Sequence, residues 1–303
     1  MHYAQLLFPD FSLILCGYLV CRYTGLNRTV WEQVESLTYY FLLPVLLFQS
    51  IVKNPLDLLA ASSLIFAGLG LSLCAIGLAY ALPYLPWLRT HINAREHAAN
   101  AQIAFRFNSF IALALAERLA GPQGPQLIAV LIGVCVPLMN VAAVWPMARH
   151  SQAGFGAALV RNPLILAITA GLAANLLGLA IPPWLEPTTN RIGAASITLG
   201  LLAAGAGMQF GPLARAKVLA GSVLGIRHFV LPLPLLALGI AWALGLSAVH
   251  TTVLLAFSAL PTASSAYVLA AKMGYNGALT ASLVSLSTLL AMASLPFALG
   301  MLR

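Results

Sequence analysis

Residues 104–118 read AFRFNSFIALALAER. Most of this stretch is apolar enough for a helix inside a bilayer. Yet Arg106, Asn108 and Ser109 interrupt it, far from either end. Asn and Ser compete for backbone hydrogen bonds and favour helix caps over helix interiors. An arginine at that depth is expensive and is a functional candidate by default.

The whole chain supports the membrane setting. It has 303 residues, of which 61% are hydrophobic and only 7% charged, with a mean hydropathy of +0.93. Soluble domains carry roughly 25% charged residues, so the deficit places the chain in lipid. The first apolar segment reads as a span rather than a signal peptide. It lacks a basic start, contains Asp10 and is followed by no A-x-A-like site. The net charge of +8 comes from singly scattered cations without interleaved aromatics, so nucleic acid is not an expected partner. Cys16, Cys21, Cys74 and Cys135 form neither a CxxC pair nor a metal-ligand spacing. They read as small buried hydrophobes, and no disulfide, metal or cofactor is expected.

A helix needs about 20 apolar residues to cross the hydrocarbon. Cutting at charges and turn residues gives ten spans, at 3–24, 32–52, 57–82, 98–120, 125–148, 163–181, 190–210, 218–245, 250–273 and 277–301. Alternate loops then hold nine cations on one side (Arg22, Arg28, Arg89, Arg95, Arg149, Arg161, Arg215, Lys217, Lys272) and four on the other (Lys53, Arg118, Arg191, Arg303). A wrong span count would scramble this asymmetry. By the positive-inside rule both termini lie outside and the loop after the fifth span is cytoplasmic. Only Arg106 and Arg227 escape the sorting. Arg227, with His228, is expected to anchor at the cytoplasmic interface, because the run that follows is nearly long enough to span alone.

Five spans per half is an odd number, so two successive halves insert with opposite orientation. The expected domains are a first five-helix repeat (1–148), a short cytoplasmic loop (149–162) and a second, inverted repeat (163–303). An offset of 153 aligns the fourth and ninth spans: Asn108 falls on Pro261, Ser109 on Thr262, Gly121 on Gly274 and Gly124 on Gly277. Asn108 lies 11 residues from His97, and Pro261 lies 11 from His250. At about 1.5 Å per residue both sit near mid-membrane. A proline removes a helix hydrogen bond and clashes with the preceding turn. Broken helices at that depth are tolerated only where they are buried in protein or line a cavity. Paired breaks in corresponding spans point to a transporter site.

Three segments carry a resemblance: YFLLPVLLFQSIVKNPLDL (40–58), FRFNSFIALAL (105–115) and SALPTASSAYVLAAKMG (258–274). They resemble the auxin efflux carrier family, which includes plant auxin exporters and bacterial malate and malonate permeases. Phe107 replaces the small residue usual before the asparagine. The resemblance implies a fold like that of bile-acid/sodium symporters. That fold is all-α, with ten transmembrane helices in two inverted repeats, broken crossing helices 4 and 9, a scaffold domain and a transport (crossover) domain. It also implies that Asn108 contacts substrate, helped by residues around Gln49 to Val52 on the second span and by Asn140 on the fifth. The long cytoplasmic loop of the plant carriers is absent.

The expected site comprises Arg106, Asn108, Ser109, Pro261, Thr262, Ser264, Ser265, Gln49, Val52 and Asn140. Half-helices beginning near Ser109 and Thr262 would offer N–H groups and dipole ends to an anion. Arg106, about 13 Å along a helix from His97, either pairs with that anion or snorkels to cytoplasmic water. None of the seven acids lies at mid-depth, and REHAAN (95–100) lacks a second histidine at helical spacing. An aspartyl or zinc enzyme is therefore not expected. The leading expectation is an inner-membrane exporter of an organic carboxylate, auxin-like or a small dicarboxylate, working by an elevator mechanism as a homodimer paired through scaffold helices. The alternatives are a sodium-coupled symporter of a bile-acid-like anion and a non-transporting anion sensor.

Overall fold

A computed structural model of the chain describes residues 3–53, 58–148, 163–209, 216–232, 234–263 and 265–300. The elements these residues form are all helices, with no strand among them. Three helical stretches among them are long and apolar enough to cross a membrane: Ser62–Tyr84, Ala94–Met147 and Gly277–Gly300. The second runs for 54 residues and contains the interruption at 106–108. The expected loop 149–162 lies outside the described residues.

Local chemistry explains where helices start and stop. Asn93 accepts from the N–H groups of Arg95 and Glu96 at 2.9 and 3.2 Å, and so caps the helix that leads into the fourth span. Ser247 caps the ninth in the same way, accepting from the His250 N–H at 3.2 Å. These side chains satisfy first-turn donors that have no partner within the helix. The sixth span ends at Leu176 rather than near 181, because Gly178 takes φ +68° and two prolines follow. The seventh starts earlier than expected, at Glu186, with a proline in its first turn.

Widened, π-helical turns occur at Thr38–Leu42, Ile226–Val230 and Pro234–Leu238. The first two close with an i to i−5 bond, from the Leu43 N–H to Thr38 O and from the Leu231 N–H to Ile226 O. In both of these a proline stands one residue beyond the turn's closing leucine, Pro44 after Leu43 and Pro232 after Leu231. Its ring would clash with the carbonyl four residues back, and widening the turn relieves the clash. The second turn carries Arg227 and His228, both only 2% exposed. The expectation of an interfacial anchor at Arg227 is therefore corrected.

The chain divides into two compact units, each drawing on both halves of the sequence. Unit 1 is Met1–Ile65, Phe110–Val134 and Gly154–Gly207; unit 2 is Phe66–Ser109, Cys135–Ala153 and Met208–Arg303. In unit 1 the helices Tyr3–Tyr23 and Glu186–Ala206 approach through glycine. A Cβ on Gly17 would lie 1.9 Å from the Leu202 carbonyl oxygen, and one on Gly205 would lie 1.8 Å from that of Ile14. Lipid tails supply no hydrophobic drive between helices, so close backbone approach through small residues holds them together. In the same unit Gly171 packs against Phe48, and the Asn175 amide donates to Ile51 O at 2.6 Å. In unit 2, Ala99, Met147 and Ala270 form a buried cluster with Leu269, Met273 and Tyr275 against it. Of the cysteines, only Cys135 is buried; Cys16 and Cys74 are exposed, which in lipid is no penalty for a small apolar side chain.

Gly205→Leu is expected to disrupt unit 1, since its first added carbon meets backbone. The loss should exceed the roughly 1–3 kcal/mol usual for overpacking. Gly70→Ala, where a Cβ meets nothing within 4 Å, serves as the control and should be neutral or mildly stabilising. Fluorescence-detected size exclusion with a thermal ramp compares the two.

Candidate functional site

The fourth-span helix runs through Ala94–Asn100 and Gln102–Phe105, stops, and resumes at Ser109–Ala120. The break is set by Arg106, which takes an extended conformation (φ −73°, ψ 151°). In the ninth span the helix Ala248–Ala259 stops at Leu260 (φ −57°, ψ 146°) and resumes at Ala266. The second half-helix therefore begins four residues later than expected from Thr262. The two breaks meet directly, the Asn108 N–H donating to Pro261 O at 2.9 Å. Phe107 and Phe257 pack edge to face beside them, 4.7 Å between centroids.

Every backbone group exposed by a break needs a partner where no water is available. Two side chains supply them, Arg227 and Ser287. Arg227 Nε donates to Leu260 O at 2.6 Å, and its Nη2 to Phe257 O at 3.4 Å. The Thr262 N–H donates to Ser287 Oγ at 3.0 Å. Ser287 in turn bonds His228 Nε2 at 2.8 Å, and His228 Nδ1 bonds Ser294 Oγ at 2.9 Å. Thr262 Oγ1 is buried and has no partner among the described residues. The Thr262 N–H, expected to face an anion, is thus already engaged.

Arg106 is half-buried. Its Nη1 donates to Gln102 Oε1 at 2.8 Å and its Nη2 to Ser265 Oγ at 3.0 Å. The arginine thus links the two broken segments, from 102–106 on one side to Ser265 on the other. Gln102 itself donates to Ala99 O and to Ala266 O, at 2.8 and 3.2 Å. Asn108, Pro261 and Thr262 are buried, while Ser109 is half-buried. Ser264 lies outside the described residues. The structure therefore brings Arg106, Asn108, Pro261, Thr262 and Ser265 together.

Asn140 is half-buried on Gly124–Ala148, in a part of that helix belonging to unit 2. Gln49 and Val52 belong to unit 1. There Gln49 lines a cavity of about 270 Å³ with Lys53, Glu117 and Asn190. Its amide sits where a Cβ on Gly193 would be 2.5 Å away, and its Oε1 is buried without a partner among the described residues. Lys53 pairs with Glu186 at 3.1 Å and also bonds the Asn190 side chain.

Sequence reasoning missed Arg227, His228, Ser287 and Gln102. One signal was present for Arg227. It lies ten residues from Lys217, much as Arg106 lies nine from His97, which already implied depth. Nothing in the sequence marked Ser287, one of many small polar residues in the last helix.

Paired helix breaks at corresponding positions of an apolar, all-helical chain define a membrane transporter. The chain matches the model of the family described as membrane transport protein over residues 90–299. It belongs to that family, the one to which the auxin efflux carriers also belong. It is 26% identical to a protein of Rhizobium meliloti (strain 1021) named "Putative malonate transporter", over 98% of this chain and 95% of the relative. It is 24% identical to the "Uncharacterized transporter YfdV" of Escherichia coli (strain K12), over 91% of this chain and 90% of the relative. A protein of the same name from Shigella flexneri matches at the same level.

Ser287→Ala should remove the acceptor of the Thr262 N–H and a partner of His228 together. Leaving buried polar groups unpaired costs about 1–3 kcal/mol each, so a clearly lowered Tm in detergent is expected. Ser258→Ala is the control: its buried hydroxyl donates to Leu255 O in its own helix, and its loss should be mild.

Proposed function

We propose that the protein is a secondary transporter that exports an organic carboxylate across the inner membrane, with the substrate held at the paired breaks. The observation that carries this reading is the 2.9 Å bond from the Asn108 N–H to Pro261 O. It joins two helix interruptions that the sequence places at equal depth. Around them stand neutral donors and one half-buried cation: the Asn108 amide, the Thr262 hydroxyl, which has no partner among the described residues, Ser265 and Arg106. Such a set attracts a carboxylate without a full buried ion pair, so the anion can also leave. The name of the Rhizobium relative favours a small dicarboxylate such as malonate or malate over an auxin-like substrate.

The finer architecture in this reading is ten transmembrane helices in two inverted repeats, 1–148 and 163–303, joined by a cytoplasmic loop at 149–162. Both termini lie outside. The same offset of 153 that aligns the motifs also relates Gly121 (φ +63°) to Gly274 (φ +78°) and the helix starts at Gly124 and Gly277. Repetition of conformation as well as residue type supports a common origin of the two segments. Unit 2, which holds both breaks, is the transport domain, and unit 1 is the scaffold. Unit 1's backbone-to-backbone helix contact suits a frame, and its helices are the surface through which a homodimer pairs. Transport proceeds by elevator-type alternating access. Net export gains about 2.3 kcal/mol per negative charge at 100 mV, interior negative.

Flux of labelled malonate into and out of proteoliposomes tests this reading. Saturable flux by the wild type is expected, with Asn108→Ala abolishing it while leaving the protein monodisperse. Arg106→Gln should raise KM about tenfold, the scale of losing one charge-assisted hydrogen bond. Saturable binding without flux would replace the transporter with a sensor. Undiminished flux by Asn108→Ala would displace the site from the breaks.

A further inference from the structure

Arg227 is a cation in the protein interior, 2% exposed, and no carboxylate lies within ion-pair distance of it among the described residues. Among the described residues its guanidinium bonds only carbonyls, those of Phe257 and Leu260, at the end of the half-helix Ala248–Ala259. The C-terminus of a helix carries about −0.5 of a charge. Against a guanidinium that stays protonated, roughly half a positive charge remains, one residue from Pro261. A neutral side chain such as glutamine could donate to the same carbonyls without bringing an uncompensated charge into the membrane. The neighbouring His228 is engaged by Ser287 and Ser294 and supplies no negative charge.

We infer that Arg227 is the fixed counter-charge of the carboxylate at the paired breaks. It acts without touching the substrate. Its fork holds Leu260 and hence Pro261 in place, and its field gives the site a positive potential that survives screening because the group is buried. Arg106 differs in being half-buried and within reach of the ligand. Arg227 is thus a positioning and charge-selecting residue. This inference rests on the reading of the site as an anion site.

Coulomb energy scales with ligand charge, whereas a structural defect penalises all ligands alike. Binding of malonate (a dianion) and monomethyl malonate (a monoanion) to the purified full-length protein therefore separates the two, measured by titration calorimetry at neutral pH. In Arg227→Gln the monoanion should weaken about fivefold and the dianion about twenty-five-fold, because the energy doubles with the charge. Arg227→Lys keeps the charge but loses the fork. It should lower Tm yet hold both affinities within about threefold of wild type. Equal losses for the two ligands in Arg227→Gln would overturn the inference and leave the anion site standing. If Arg227→Gln does not fold, Arg227→Lys decides: retained affinities despite a lower Tm support the inference, and joint loss of both overturns it. Wild-type protein that binds neither ligand overturns the anion-site reading, and this inference with it.

Discussion

A backbone amide inside a bilayer must be hydrogen-bonded by the protein, because no water is there to do it. The architecture of unit 2 follows from that constraint. Its two helix breaks open carbonyls at Phe257 and Leu260 and N–H groups at Asn108 and Thr262. Each is met by a group from elsewhere: the Arg227 fork, the Pro261 carbonyl and the Ser287 hydroxyl. The breaks are therefore fixed structures with assigned partners rather than loose hinges. The hydroxyl left over, Thr262 Oγ1, is buried at the centre of this arrangement. A substrate that hydrogen-bonds it would satisfy a group that the described residues leave unpartnered.

Charge follows the same economy. No acid stands at the paired breaks among the described residues, and Arg106 and Arg227 are used differently. Arg106 spans from Gln102 to Ser265 and stays half-buried. Arg227 is fully enclosed and bonded to carbonyls. The π-helical turn that carries it arises from Pro232, whose ring forces the preceding turn to widen. Widened turns of this kind recur at functional sites, and here the widening accompanies two consecutive residues, Arg227 and His228, that both face inward.

How much of this was legible in the sequence depends on the distance over which each cause acts. The interruption at Arg106–Asn108 and the one at Pro261 were readable because Asn and Pro disturb a helix within a turn of themselves. Gly121 and Gly274 were matched in the sequence by the offset of 153 alone, and their shared positive φ came only with the structure. The start of the second half-helix was misplaced at Thr262. Pro261 marks where a helix stops, and the non-helical stretch that follows is held by Ser287, 25 residues further on. Arg227 was misread as an anchor since its partners lie 30 and 33 residues away and no periodicity connects them. Gln49 and Asn140 came from resemblance, and the structure places them in different units.

The bond between Asn108 and Pro261 also has a consequence for biosynthesis. The donor is synthesised 153 residues before its acceptor. At about 5–20 residues per second, the ribosome needs roughly 8–30 s to supply Pro261 after Asn108 has left it. During that interval the fourth span is already in or near the membrane with its central amide unmatched by its final partner. The first half of the chain therefore holds a provisional conformation, and the native break is completed only when the ninth span arrives.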